Sequence, residues 1–350
     1  MPHVVLSPLR GLLLVFLATV TGCGSTGPAA EACVECVPTA DAPCPSGSAD
    51  AGTLLLFGGS TIVGSRAENL ADTWQWDGAH WIQSCVTGPG ARFGMNGATL
   101  SGRPVLFGGA TVSMTLDDTW TWNGSGWSTV TPAVSPPARF EGASASLGAT
   151  LVLFGGVSSS ATALGDTWVW DGASWAQQEV PGPGARSSPA VATLQDTVVL
   201  FGGNTLTQVN AGSSEAYVVN TPLADTWTWD GSSWTEHHVT GPSPRFGATM
   251  ATLGDQVVLF GGNAFMGGTT TPLGDTWAWD GMQWKELQVT GPSPRIAAAS
   301  ATFGNVIVLF GGYAGGDSDL GDTWTWDGSQ WAAVSAQGPT AREDAMLVAY

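Results

Sequence analysis

Short apolar blocks, each closed by the same three residues, recur along most of the chain. One block, Val257–Phe260, holds four consecutive apolar residues and is followed by Gly261 and Gly262. Because the block does not alternate with polar residues, we predict a central strand that neighbouring sheets cover on both faces. The Phe-Gly-Gly ending occurs at Phe57, Phe107, Phe154, Phe201, Phe260 and Phe310, with spacings of 50, 47, 47, 59 and 50 residues. Such a period, built from strand-like pieces, is typical of a radial β array.

A second motif, Asp-Thr-Trp-x-Trp-(Asp/Asn)-Gly-x-x-Trp, follows every apolar block, and its six copies contain all 18 tryptophans. Its first two tryptophans are two residues apart and so share one face of a third strand. Its last tryptophan begins a fourth strand after the Asp-Gly turn, which is Asn123-Gly124 in one copy. A stretch such as Arg245–Leu253 supplies a first strand, and Gly254-Asp255 makes the hairpin turn that follows it. Four antiparallel strands per repeat, six times, predict an all-β, six-bladed β-propeller.

These patterns resemble kelch repeats in the Phe-Gly-Gly ending, the Trp-x-Trp-Asp strand and the period, over about residues 51–350. The resemblance implies propeller topology. The first repeat lacks a first strand, because Gly52–Leu56 enters at the second, and the chain ends in a lone first strand, Arg342–Tyr350. We expect the two pieces to complete one blade, so that the C-terminal strand closes the ring and removes open edges. An open fragment of a larger propeller is the alternative.

The N-terminal segment is typical of a bacterial lipoprotein signal. Arg10 precedes an apolar stretch, Gly11–Val20, that is too short to span a bilayer. The sequence Val20-Thr21-Gly22-Cys23 resembles a lipobox, which predicts a signal peptide over residues 1–22 and a lipid on Cys23. Gly24 favours sorting to the outer membrane or cell surface of a bacterial envelope. An ordinary cleaved secretory signal is the alternative.

Residues 23–50 are predicted to be a flexible tether, since they are rich in Gly, Ser, Ala, Pro and acidic residues. The tether contains Cys33, Cys36 and Cys44, and Cys85 is the one cysteine of the propeller region. Four cysteines in an oxidising compartment favour two disulfides, one of them joining the tether to Cys85. A zinc site or a redox pair at Cys33 and Cys36 is less favoured, because neither a second cysteine pair nor a βαβ context accompanies it.

The charge of the chain restricts its partners. The formal net charge is −18, which argues against nucleic acid and anionic lipid as ligands. We therefore expect no nucleic-acid partner, and a membrane attachment through the N-terminal lipid alone.

Residues that occur in every repeat are expected to serve the fold. They include the first tryptophan of each motif and the arginine that follows each proline-containing turn: Trp74, Trp120, Trp168, Trp227, Trp277, Trp324, Arg92, Arg139, Arg186, Arg245, Arg295 and Arg342. Salt bridging or loop bracing is the preferred role of the arginines and motif aspartates. A ring of arginines around the central channel is the functional alternative.

Binding is expected where the repeat is irregular. The loops between second and third strands share a face with the loops between blades, and the tight turns lie on the opposite face. Loops on a rigid scaffold commonly carry binding, and the longest is Asn204–Ala224. The candidate binding residues in these loops are Arg66, Glu68, Glu215, Tyr217, Phe265, Met266 and Tyr313. Asp317, Asp319 and Asp322 offer a weak calcium pattern, so no metal site is predicted.

Two kinds of sugar-acting enzyme share the kelch resemblance. Copper-radical oxidases similar to galactose oxidase need two tyrosines, two histidines and a cysteine near the axis, and the sparse Tyr, His and Cys residues here do not offer that set. Sialic-acid mutarotases need few residues and are excluded less sharply. We expect no catalytic residues and no cofactor. The sequence favours a lipid-anchored, extracytoplasmic module that binds protein or glycan; a sugar-acting enzyme and a structural envelope protein are the alternatives.

Overall fold

The chain is described by a computed structural model over residues 52–64, 66–209, 217–266, 269–316 and 319–350. The predicted signal peptide, the tether and their residues Cys23, Cys33, Cys36 and Cys44 lie outside the described residues. Within the described ranges, the regular elements are strands. These ranges contain no helix that is long and apolar enough to cross a membrane.

The strands fall into three groups along the chain. Those of the first two blades and the first hairpin are β1 (Leu54–Phe57), β2 (Ser60–Val63), β3 (Arg66–Asn69), β4 (Thr73–Trp76), β5 (Trp81–Ser84), β6 (Asn96–Leu100), β7 (Arg103–Phe107), β8 (Thr119–Trp122) and β9 (Trp127–Val130). The next two blades contain β10 (Arg139–Phe140), β11 (Ala143–Leu147), β12 (Thr150–Phe154), β13 (Val157–Ser158), β14 (Thr167–Trp170), β15 (Trp175–Gln178), β16 (Ala190–Leu194), β17 (Thr197–Phe201), β18 (Asn204–Val209), β19 (Tyr217–Pro222), β20 (Thr226–Trp229) and β21 (Trp234–His237). The remainder are β22 (Thr249–Leu253), β23 (Gln256–Phe260), β24 (Asn263–Met266), β25 (Thr269–Pro272), β26 (Thr276–Trp279), β27 (Trp284–Leu287), β28 (Ala299–Phe303), β29 (Val306–Phe310), β30 (Thr323–Trp326), β31 (Trp331–Val334) and β32 (Met346–Ala349).

Six four-stranded antiparallel sheets form the six blades, which confirms the predicted fold class. From the axis outward, the blades are β32-β1-β4-β5, β6-β7-β8-β9, β11-β12-β14-β15, β16-β17-β20-β21, β22-β23-β26-β27 and β28-β29-β30-β31. The inner strands contact one another in a closed circle around a central channel. The C-terminal strand β32 pairs with β1, with Ala349 opposite Leu54 and Met346 opposite Phe57. The ring is therefore closed by the two ends of the propeller sequence, as predicted.

The second strand of each blade is buried on both faces, as the continuous apolar blocks predict. In β23, Val257 and Leu259 pack against Val199 and Phe201 of blade 4. The alternate residues of β23, Val258 and Phe260, pack on the other side against blade 6. Equivalent clusters fill the other junctions, so the core is a set of six interfaces between blades rather than one central core.

The first strands are shorter than predicted. In blade 5 the ladder begins at Thr249 rather than at Arg245. Gly247 has a φ of +62°, and its N–H donates to the carbonyl of Ser188 in the neighbouring blade, which interrupts the strand. The residues before Thr249 therefore join neighbouring blades instead of extending the sheet.

Candidate binding site

Each repeated arginine joins two blades. The side chain of Arg245 is buried and donates to Asp275 through Nη1–Oδ1 at 2.6 Å and Nη2–Oδ2 at 2.8 Å, and to the Gly261 carbonyl at 2.9 Å. Its backbone instead bonds to Gly203 and Leu223 of the preceding blade. The same pairing joins Arg92 to Asp118, Arg139 to Asp166, Arg186 to Asp225, Arg295 to Asp322, and Arg342 to Asp72. The structure thus places the arginine side chains in the blade junctions.

The motif aspartates are held in the ionised form. Burial opposes ionisation of Asp275, but hydrogen bonds from Arg245 and Trp277 and the guanidinium charge outweigh it, so its pKa lies below the usual value. The pKa is lowered by the same causes in Asp72, Asp118, Asp166, Asp225 and Asp322. Each of these carboxylates is thus held by the arginine and the tryptophan of its blade junction.

The tryptophans of the motif have separate tasks. The indole of Trp277 donates to Asp275 Oδ2 at 2.7 Å, so the first tryptophan braces the aspartate. The indole of Trp284 donates to Thr226 Oγ1 of the preceding blade at 2.9 Å. The corresponding bond recurs at all six junctions, from Trp81, Trp127, Trp175, Trp234, Trp284 and Trp331. Sequence reasoning missed this role of the threonine, although its presence in every Asp-Thr-Trp copy was the signal.

The Phe-Gly-Gly ending is required by close packing at the same junction. Gly261 has a φ of +68°, and a Cβ at this position would lie 2.6 Å from the Arg295 carbonyl oxygen. A side chain would therefore push the next blade away. The glycine pair serves the fold, as expected.

The two faces of the ring differ in regularity. On one face, the third strand of each blade ends in a turn where an aspartate or asparagine accepts backbone N–H groups. In blade 5, for example, Asp280 Oδ1 accepts the backbone N–H groups of Met282 and Gln283. The other face, here called the loop face, carries the connections between second and third strands. In three blades these connections are two-stranded hairpins, β2-β3, β18-β19 and β24-β25, which differ in length. The segment expected as a long loop, Asn204–Ala224, is thus mostly a hairpin.

Apolar side chains are exposed on the loop face. Phe265 on β24 is 54% exposed and Val219 on β19 is 38% exposed, and the hairpins that carry them contact each other. Val63, Val112 and Met114 are also exposed on connections of this face. On the face with the tight turns, Met282 is the exposed large apolar residue among the described residues. Exposed apolar groups on neighbouring hairpins, such as Phe265 and Val219, mark a surface suited to protein contact.

The predicted candidate residues are distributed over several blades. Arg66 and Glu68 are exposed on β3 of blade 1. Phe265 belongs to the apolar surface just described. Glu215 lies outside the described residues, as do the side chains of Tyr217 and Met266, whose backbones pair with Val209 and Thr269. The structure thus brings the backbone of Tyr217 and the side chain of Phe265 onto neighbouring hairpins, and places Arg66 and Glu68 elsewhere.

The remaining loop candidates have structural contacts in blade 6. The Tyr313 hydroxyl donates to the Gly316 carbonyl, and Asp319 Oδ2 accepts the backbone N–H of Ile62 in blade 1 at 2.7 Å. Asp322 is bound by Arg295, and Asp317 lies outside the described residues. In the described part of the chain, no three His, Cys, Asp or Glu side chains are grouped to hold a metal ion.

A ring of six backbone hydrogen bonds surrounds the channel near the loop face. One residue per blade donates its N–H to the carbonyl of the previous member and has a positive φ: Gly94, Glu141, Ser188, Gly247, Ala297 and Asp344. We call these residues the axial ring. They line a cavity of about 140 Å³ on the axis. Four members have no polar side chain or only a hydroxyl, so the carboxyl groups of Glu141 and Asp344 stand out.

Glu141 is a buried acid without a cationic partner in the described structure. Its side chain is 5% exposed, and Oε2 accepts a hydrogen bond from Ser188 Oγ at 2.9 Å. Oε1 is buried and has no hydrogen-bond partner. Burial, reinforced by the nearby charge of Glu343, raises the pKa of Glu141 to about 8. Sequence reasoning missed this residue, because binding residues were sought in the long connections between strands rather than at positions that recur in every repeat.

The side chains considered for enzymes lie on separate elements. His237 contacts Thr228 on the outer strands of blade 4, and His238 is exposed near Glu236. Tyr350 donates to Gln75 at the end of the inner strand. Cys85 is exposed immediately after the outermost strand β5, far from the histidines of blade 4 in sequence, and the cysteines predicted to pair with it lie outside the described residues. These positions do not converge on one site.

The fold and its repeated junctions define a kelch-type β-propeller. A family model described as the KLHDC2/KLHL20/DRC7 Kelch-repeats domain matches residues 172–350, just over half of the chain. The chain therefore belongs to the kelch-repeat family. A comparison with curated proteins gives no match. Kelch propellers generally mediate protein interactions, so membership indicates a protein-binding module.

Proposed function

We propose that this propeller binds a protein partner through the loop face, and that Phe265 and Val219 are central to the contact. The observation that carries the proposal is the exposure of Phe265 and Val219 on two hairpins that contact each other, on a face where hairpins of unequal length break the sixfold regularity. An aromatic side chain on a rigid hairpin contributes a large contact area at low entropic cost. The rest of the scaffold is held by repeated ion pairs between blades, which supports a rigid platform for docking.

The anchoring part of the proposal concerns the N-terminus. We propose that Cys23 carries lipid and places the propeller on the extracytoplasmic side of a bacterial envelope. The sequence Val20-Thr21-Gly22-Cys23 after the apolar stretch supports it. Detergent phase partitioning of the wild type and Cys23→Ala tests this: the wild type should enter the detergent phase and the variant should not. Identical partitioning of both into the aqueous phase would contradict the lipid anchor.

The docking face can be tested with matched variants. We expect Phe265→Ser combined with Val219→Thr to weaken capture of the partner found by cross-linking in envelope fractions at least tenfold. Met282→Ser, on the opposite face and 79% exposed, is the control and should capture the partner normally. Both variants should keep the wild-type melting temperature. If the Met282 variant alone loses capture, the docking face is wrong.

A glycan ligand is the other outcome of the same experiment. A glycan array probed with the wild-type propeller and the two variants would show it. Array binding that depends on the loop face, with no captured protein, would replace the protein partner by a sugar.

A further inference from the structure

We propose that the cavity of the axial ring binds a primary ammonium group, supplied by a lysine side chain of the docked partner. The source of the ammonium group rests on the protein-binding function proposed above. The cavity opens among the inner strands near the loop face, so a side chain from a partner on that face can reach it.

The chemistry of Glu141 calls for a donor. A buried acceptor without a hydrogen bond destabilises the folded protein, and a ligand that donates to that atom removes this cost. Glu141 Oε1 is such an acceptor, and the cavity is lined by Glu141, Ser188 and Asp344. Glu343 is also buried, and its charge acts on Glu141. The acids around Glu141 are thus Glu343, through its charge, and Asp344, which lines the same cavity, and a cationic donor satisfies both the hydrogen bond and the charge.

An ammonium group suits this arrangement better than other cations. Arginine binds carboxylates best through a planar pair of hydrogen bonds to both oxygens, whereas in Glu141 Ser188 already donates to Oε2 and Oε1 is the oxygen left without a donor. A divalent metal requires several oxygen ligands, and no group of three acidic or histidine side chains is placed to supply them in the described residues. The compact ammonium group of lysine can donate to one carboxylate oxygen and to nearby oxygens.

Binding is expected to depend on pH. With a pKa of about 8, Glu141 is mostly protonated at neutral pH. An ammonium ion favours the ionised carboxylate, so its binding releases the proton from Glu141. Affinity should therefore rise between about pH 6.5 and pH 8.5, by roughly twentyfold for a single group with this pKa.

The experiment uses the wild-type propeller, Glu141→Gln and two small probes, Nα-acetyl-lysine methylamide and its norleucine analogue. Calorimetric titration should show binding of the lysine probe to the wild type, tighter at the higher pH, and at least tenfold weaker binding to Glu141→Gln at that pH. The norleucine probe, which has no charge, should not bind measurably. Potassium chloride at matched ionic strength should not compete.

Several outcomes would overturn the proposal. They are equal binding of the two probes, equal binding to the wild type and Glu141→Gln, no binding of the lysine probe, or no dependence on pH in the wild type. The pH and probe comparisons use the wild type alone, so they stand even if Glu141→Gln folds poorly. If the lysine probe fails while the Phe265 and Val219 variant still loses its partner, the cavity proposal is wrong and the docking function stands. If the probe binds and the partner is captured equally by all variants, the docking face is wrong instead.

Discussion

Removing one motif aspartate should destabilise the propeller more than removing a surface ion pair would. Asp275→Ala leaves the guanidinium of Arg245, which is 1% exposed, without its carboxylate. Removing one partner of a buried ion pair costs about 3–5 kcal/mol. Arg245 keeps its bonds to the carbonyls of Gly261 and Ser243, so we expect the lower end, about 3 kcal/mol.

A double-mutant cycle separates the ion pair from the packing around it. Arg245→Met removes the charge and fills the space with an apolar side chain, while Asp275 remains partly exposed to water. When both residues are replaced, no unpaired buried charge remains. We therefore expect the double variant to be less destabilised than the sum of the single variants, by about 1–3 kcal/mol.

The assay is urea unfolding followed by tryptophan fluorescence, since the six motif copies hold all 18 tryptophans of the chain and therefore report on every blade. The free energy of unfolding is compared at constant denaturant slope. Asp280→Ala is the control in the same blade, because Asp280 caps an exposed turn and forms no ion pair with any other described residue. The reasoning would be refuted if Asp275→Ala lowered the free energy of unfolding by less than about 1 kcal/mol, as is found for exposed ion pairs. It would also be refuted if the effects of the two single variants simply added in the double variant.

Three further predictions concern the junctions and the closure. The pKa of each arginine-bound aspartate is lowered in the folded state, so its contribution to stability is present above about pH 4 and is lost as the pH falls through the folded pKa. Acid titration should therefore show a smaller loss of stability in Asp275→Asn than in the wild type. Gly182→Ala should lower the melting temperature, because its Cβ would lie 2.6 Å from Trp234 Cδ1; we expect a loss of about 1–3 kcal/mol in the free energy of unfolding. Gly184→Ala, where the added Cβ meets open space, should leave the melting temperature unchanged. Deleting residues 343–350 removes β32 and exposes the apolar edge of β1, so gel filtration should show aggregation; a monomer that melts like the full chain would count against closure by β32.

Most of the fold could be predicted because the sequence pattern of the strands recurs in each repeat. The apolar block Val257–Phe260 alone indicates burial on both faces, and the structure confirms this with contacts to two neighbouring blades. The closing pair of β32 and β1 followed from the incomplete first repeat. The junction contacts did not follow, because the bond from Trp284 to Thr226 joins residues 58 positions apart whose distance is set only by the packing of two blades.

The candidate binding residues were harder to predict, because the repeat obscures them. The position two residues after each arginine holds glycine, serine or alanine in four blades and an acid in two, Glu141 and Asp344. Along the sequence these residues lie in different repeats and look like ordinary surface acids. The ring of backbone hydrogen bonds places them at one end of the axis, and burial then makes Glu141 unusual. In a closed ring, equivalent residues of the six blades lie close together only near the axis. Polar residues at such a position can therefore form one site, whereas polar residues on the outer strands stay far apart.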